Sequence, residues 1–74
     1  MTMYYLKENG DLYSIYVGDE KKLDEGIEDF AYAGSNSLAV IKNFDKKIKQ
    51  GDICYISKHN ITETGKTAEK FKKY

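Results

Sequence analysis

The segment HNITETGKTAEKFKKY, His59 to Tyr74, contains Gly65-Lys66-Thr67, the closing triplet of a phosphate-binding P-loop. Such a loop works because backbone N–H groups between a strand and a helix cradle phosphate while the lysine neutralises it. Here Asn60 stands where the leading glycine belongs. No magnesium carboxylate accompanies the triplet, and the chain is too short for the open sheet that carries a P-loop. The plainer reading is a solvated turn at Gly65, with Thr67 capping the segment that follows. Cys54 and His59 lie five residues apart, whereas a zinc site needs three or four ligands. No second histidine can activate the thiol, so Cys54 reads as a small core residue between Ile53 and Ile56. The sequence points to no catalytic residue, no metal site and no cofactor, and the chain reads as non-enzymatic.

Carboxylates are plentiful between residues 19 and 29, and the pairs Asp24 with Glu28 and Glu25 with Asp29 have i, i+4 spacing. Acid–base catalysis needs two carboxyls in different environments around a cleft, whereas these would share one solvated helical face. Such an array suits a basic surface on a partner, because it competes for lysines and arginines that bind phosphate. Residues 1–37 hold eight acids and three lysines, and residues 38–74 hold nine lysines and four acids, so the chain is neutral overall but polarised along its length. The seven tyrosines are too many to bury in a domain this small, and exposed tyrosine is enriched at binding surfaces. With no arginine in the chain, any contact to nucleic acid relies on lysines as point charges.

A chain of 74 residues with 41% hydrophobic and 32% charged residues has material for one small globular domain spanning residues 1–74. A lone cysteine and a start, MTMYYLKENG, without a basic or apolar leader segment suggest the cytoplasm. No apolar run approaches the ~20 residues that span a bilayer, so no membrane partner is expected. Abundant Lys, Ile, Asn and Tyr, all encoded by AT-rich codons, suggest a bacterium, a phage or a mobile element.

The elements that must position these residues begin with a β-hairpin. MYYLK and LYSIYV flank ENGD, and Asn-Gly supplies the φ > 0 geometry of a tight turn, giving strands at 3–7 and 12–17. Tyr13, Ile15 and Val17 form the better candidate core face of the second strand. Leu23, Ile27 and Phe30 fall at helical spacing, with Asp19 as cap and Gly34 as stop, so residues 19–34 predict an amphipathic helix despite Gly26. Leu38, Ile41, Asp45 and Ile48 extend a second helical stripe over 37–50, with Phe44 beside it, Ser37 as cap and Gly51 as end. The β-branched pair Val40-Ile41 leaves a strand open there. Ile53 to Lys58 reads as a central strand, and the tail after Gly65 as a short helix or strand carrying Phe71 and Tyr74. The expected fold is α+β, ββααβ plus a tail: a small antiparallel sheet opened by an N-terminal hairpin and covered by one or two helices.

Tyr5-Leu6-Lys7, Tyr13-Ser14-Ile15, the Lys49-x-Gly51-Asp52 turn and the run Tyr55 to Asn60 together resemble the EVE branch of the PUA-like superfamily, over residues 4–60. The resemblance implies a nucleic-acid reader that holds a modified base in an aromatic pocket. The chain carries no Trp for such a pocket and ends before the second half of that fold.

Two functional expectations follow. The first is an accessory or inhibitor factor of a phage or mobile element that occupies a larger host protein through Glu20, Asp24, Glu25, Glu28 and Asp29, with Tyr16 and Tyr32 as anchors. The second is a nucleic-acid or modified-base binding domain using Lys42, Lys46, Lys47, Lys49, Lys66 and Lys70 with Tyr5 and Tyr55.

Overall fold

A computed structural model describes residues 2–34, 37–57 and 60–71. Among the described residues there are seven strands and no helix: β1 Met3–Leu6, β2 Leu12–Tyr16, β3 Asp19–Asp24, β4 Ile27–Tyr32, β5 Ser37–Asp45, β6 Gln50–Ser57 and β7 Asn60–Ala68. They form two antiparallel sheets of sequential neighbours, ordered β1-β2-β3 and β4-β5-β6-β7. The expected α+β class is therefore corrected to all-β.

Neither expected helix forms: residues 19–34 hold β3 and β4, which belong to different sheets, and residues 37–50 hold β5, a turn and the start of β6. Gly26, at φ 65, links one sheet to the other, so Leu23 and Ile27 belong to different layers and not to one helical stripe. A bulge between Ile27 and Asp29 then shifts the alternation of β4, which lets Ile27 and Phe30 face the same core although they are three residues apart. The run around Val40-Ile41 adopts the strand alternative, as β5, and residues 46–49 form a turn. Leu38 and Val40 enter the inter-sheet core, while Ala39 and Ile41 are buried on the opposite face. That two-sided burial suits a central strand with a β-branched pair. At Gly51 a Cβ would lie 2.5 Å from Ile41 Cγ2 and 2.8 Å from the Lys42 carbonyl oxygen, so only glycine lets β6 approach β5 there.

The N-terminal hairpin is present, with Leu6 opposite Leu12 and Met3 opposite Ile15. Its loop places only Gly10 at positive φ, 93°, with Gly10 N–H donating to the Lys7 carbonyl. The core face of β2 is the reverse of the expected one. Leu12 is fully buried and Ser14 points between the sheets, while Tyr13 and Ile15 are on the outer face and Val17 is 84% exposed in a turn. Leu12 joins Ile27, Leu38, Val40, Cys54 and Ile56 across the two layers, with Tyr4, Leu6, Leu23 and Phe30 packed around them.

Gly65 is not a turn before a final element. It lies within β7 at φ 78, where the three residues between Glu63 and Thr67 oppose the one residue, Ile53, between Cys54 and Asp52. Thr64 Oγ1 donates to the Ile53 carbonyl and accepts from Lys66 N–H, closing this bulge. Thr67 caps nothing; its hydroxyl donates to Gln50 Oε1. The tail crosses back to β4, where Phe71 N–H donates to Asp29 Oδ2.

Candidate functional site

The two sheets meet differently at their two ends. At one end Ile27 N–H donates to the Gly10 carbonyl and Lys42 reaches Asp24 across the layers, so the sheets are tied together. At the other end they diverge around a groove of about 350 Å³ lined by Thr2, Tyr4, Ser14, Lys21, Leu23, Leu38 and Ile56. A depression of similar volume, about 380 Å³, lies at the tied end beside Glu28, Asn43 and Phe44, so what sets the groove apart is its lining and not its size.

Strand register builds the groove. Tyr4, Ser14 and Lys21 are opposite one another across β1, β2 and β3, and therefore share the inner face. Leu23 follows two residues later on β3. The facing wall comes from Leu38 and Ile56, which are paired across β5 and β6. An inward lysine on an edge strand also discourages unwanted strand pairing, which is the plain structural role for Lys21.

Exposed apolar side chains rim this groove. Tyr32 is opposite Leu38 and packs edge-to-face on Tyr4 at 5.6 Å, and Ile61 is opposite Ile56. Tyr16 follows Ser14 on the inner face of β2, and Val17 forms the adjoining turn. Of the seven exposed large hydrophobics among the described residues, these four stand at the groove end and only Ile48 stands at the opposite tip. Val17 and Gly18 have φ of 50° and 82°, the signature of a two-residue type I′ turn that favours Asn-Gly. A β-branched residue there is strained, and its exposure returns no burial within the chain.

The expected acidic face does not assemble, because the helix that would have gathered it is absent. Glu20 accepts a short hydrogen bond from the Tyr5 hydroxyl. Asp24 Oδ2 pairs with Lys42 Nζ at 2.5 Å, with both side chains largely covered. Glu25 accepts from Lys22 at 2.8 Å in the inter-sheet link, which raises the Lys22 pKa chiefly through that hydrogen bond. Glu28 lies exposed beside Asn43 and Phe44 at the tied end. Asp29 accepts from the Phe30 and Phe71 amides and is occupied within the fold. Tyr16 and Tyr32, the expected anchors, are brought together only at the groove end.

The expected basic set divides differently. Lys46, Lys47 and Lys49 crowd the tip between β5 and β6 around exposed Ile48, and Lys47 N–H is held by Asp45 Oδ1 at 2.8 Å. The β7 segment carrying Lys66 runs toward this tip, since Ala68 is opposite Gly51, and Lys70 follows it. Lys42 is spent on Asp24. Tyr5 stacks on Tyr13 at 5.3 Å on the outer face of the first sheet, with the Lys7 ammonium 4.4 Å from the Tyr13 ring. Tyr55 is exposed on the outer face of the second sheet. The hydrogen bond to Glu20 pushes the Tyr5 pKa up to about 12.

Cys54 is buried in the core, and burial pushes its thiol pKa up. No group of three His, Cys, Asp or Glu side chains that could hold a metal comes together among the described residues, outside which His59 and Tyr74 lie. No helix among the described residues is long and apolar enough to cross a membrane.

Sequence reasoning missed Tyr4, Ser14, Lys21, Leu23, Leu38 and Ile56 as one site. The alternation of Tyr4 and Leu6, or of Leu12 and Ser14, was a signal for an inner face, but the pairing of the two sheets was not written in any single segment. No protein-family model, curated protein or solved structure matches the chain. The EVE resemblance gains no support there and is not refuted.

Proposed function

We propose that this chain is a non-enzymatic binding protein that engages a protein partner through the groove end of its sandwich. One observation carries the reading: Tyr16, Val17, Tyr32 and Ile61 are exposed at the end of the sandwich where a groove walled in part by Tyr4, Leu23, Leu38 and Ile56 opens. Exposed aromatic and aliphatic side chains gathered on one patch mark interaction surfaces, and tyrosine is favoured as an interface anchor. The strained Val17 supports the same reading, because a contact residue is a reason to keep valine where asparagine or glycine would cost less.

Benzoylphenylalanine placed at position 16 or 32 and, separately, at position 47 allows the two ends to be compared by photocrosslinking in cells that carry the protein. The expected result is a discrete protein adduct from positions 16 and 32 that is lost when Tyr4→Ser is added. Adducts confined to position 47, or none from the groove end, overturn the proposal.

A further inference from the structure

The polar groups of the groove share one chemistry. Ser14 and Lys21 are opposite each other on β2 and β3, so an ammonium and a hydroxyl stand side by side on the inner face, with Thr2 contributing a second hydroxyl to the same groove. Facing side chains of an antiparallel pair have Cβ atoms ~5 Å apart, close enough for both donors to reach one acceptor group. Among the described residues, no carboxylate pairs with Lys21, and neither hydroxyl has a side-chain partner within the chain. The other walls of the groove are, among the described residues, apolar or aromatic: Tyr4, Leu23, Leu38 and Ile56.

A cation and two hydroxyl donors at an apolar groove complement an anionic acceptor attached to an apolar body. A carboxylate fits, since hydrogen bonds to an ionised acceptor are about twice as strong as neutral ones, and its attached side chain can be buried. The surroundings favour a peptide as the source. The rim of Tyr16, Val17, Tyr32 and Ile61 extends apolar surface beyond what a small acid covers. We propose that the groove receives the C-terminal carboxylate of a partner protein that ends in an aliphatic residue. Lys21, Ser14 and Thr2 hold the carboxylate, and Tyr4, Leu23, Leu38 and Ile56 surround the final side chain. This rests on the groove end being the partner-binding surface.

The test titrates the isotopically labelled full chain with an acetylated pentapeptide ending in leucine as the free acid, with the same peptide as the C-terminal amide, and with octanoate. The free acid should shift the amide signals of Tyr4, Ser14, Lys21, Leu38 and Ile56 and bind at least ~10-fold more tightly than the amide. Lys21→Gln, an exposed substitution that keeps the native spectrum, should abolish that preference, and Ser14→Ala should reduce it. Equal binding of acid and amide, or shifts centred elsewhere, overturns the carboxylate site. Octanoate binding as tightly as the peptide acid overturns the peptide and assigns a small organic acid. If crosslinks from positions 16 and 32 persist while acid and amide bind alike, the carboxylate proposal fails and the protein-binding reading stands.

Discussion

The two ends of the sandwich are built from the same strands but use their side chains in opposite ways. At the tied end Asp24 pairs with Lys42, Glu25 pairs with Lys22 and Asp45 accepts from the Lys47 backbone N–H, while the exposed side chains of Lys46, Lys47 and Lys49 crowd the adjoining tip. At the groove end apolar side chains are left in solvent and Lys21 has no carboxylate partner among the described residues. Polar links across the layers tie one end, and exposed apolar side chains gather at the other.

The largest effects should come from the packing on which each end depends. Leu38→Ala deletes a fully buried side chain that belongs both to the core and to the groove wall, and should cost about 3 kcal/mol of unfolding free energy. Gly51→Ala drives a methyl group against the Lys42 carbonyl near the tied end and should cost about 3 kcal/mol as well. Urea titration measures both losses. The ends separate in binding: Leu38→Ala should also weaken the peptide acid, while Gly51→Ala should leave its affinity unchanged at temperatures where the fold is intact. Equal loss of binding in both variants would break the distinction between the ends.

Val17→Asn moves stability the other way. Relief of the left-handed strain at φ 50 should stabilise the fold by about 1 kcal/mol, read as a higher urea midpoint at unchanged slope. The same substitution removes an 84% exposed aliphatic group from the rim, so the adducts formed from position 16 should weaken. A variant that is more stable and crosslinks fully would show that Val17 is strained without serving the partner.

Legibility in the sequence followed how local each signal was. The N-terminal hairpin was readable because its turn residues and both strands fall within 14 residues, and Cys54 was readable because its apolar neighbours flank it directly. The stretch from Asp19 to Tyr32 was misread because Leu23, Ile27 and Phe30 acquire helical spacing from a sheet crossing and a bulge, of which Gly26 is the one local mark. Tyr16 and Tyr32 were singled out correctly as exposed tyrosines, but the acidic face assigned to them depended on the helix. Asp24 and Asp29 are engaged within the fold by partners 18 and 42 residues away, Lys42 and Phe71. The groove was invisible for the same reason, since its two walls come from different sheets.

A smaller effect tests how self-contained the tied end is. A double-mutant cycle of Asp24→Asn and Lys42→Met should give a coupling energy of about 1 kcal/mol, because the pair is largely covered yet close to solvent. Raising the salt concentration should reduce that coupling only in part. A coupling near zero would mean that hydrophobic contacts, and not matched charges, close this end.

The smallest effect concerns Glu20, which the sequence assigned to a partner and the fold gives to Tyr5. The Tyr5 hydroxyl donates to the Glu20 carboxylate on the outer face of the first sheet, and ionising the phenol would both break that bond and set two negative charges together. The pKa consequently rises from the ordinary 10.0 to about 12, and Tyr5 is neutral in the fold at pH values where it is already ionised in the unfolded chain. The contribution to stability is fully present below pH 10.0 and is lost as pH rises toward about 12. Ultraviolet titration should resolve one late-ionising tyrosine that returns toward the ordinary value in Glu20→Gln. If Glu20→Gln leaves the late phenol in place, Glu20 is not committed to Tyr5, and its carboxylate, next to Lys21 on the groove half of β3, is free to face a partner.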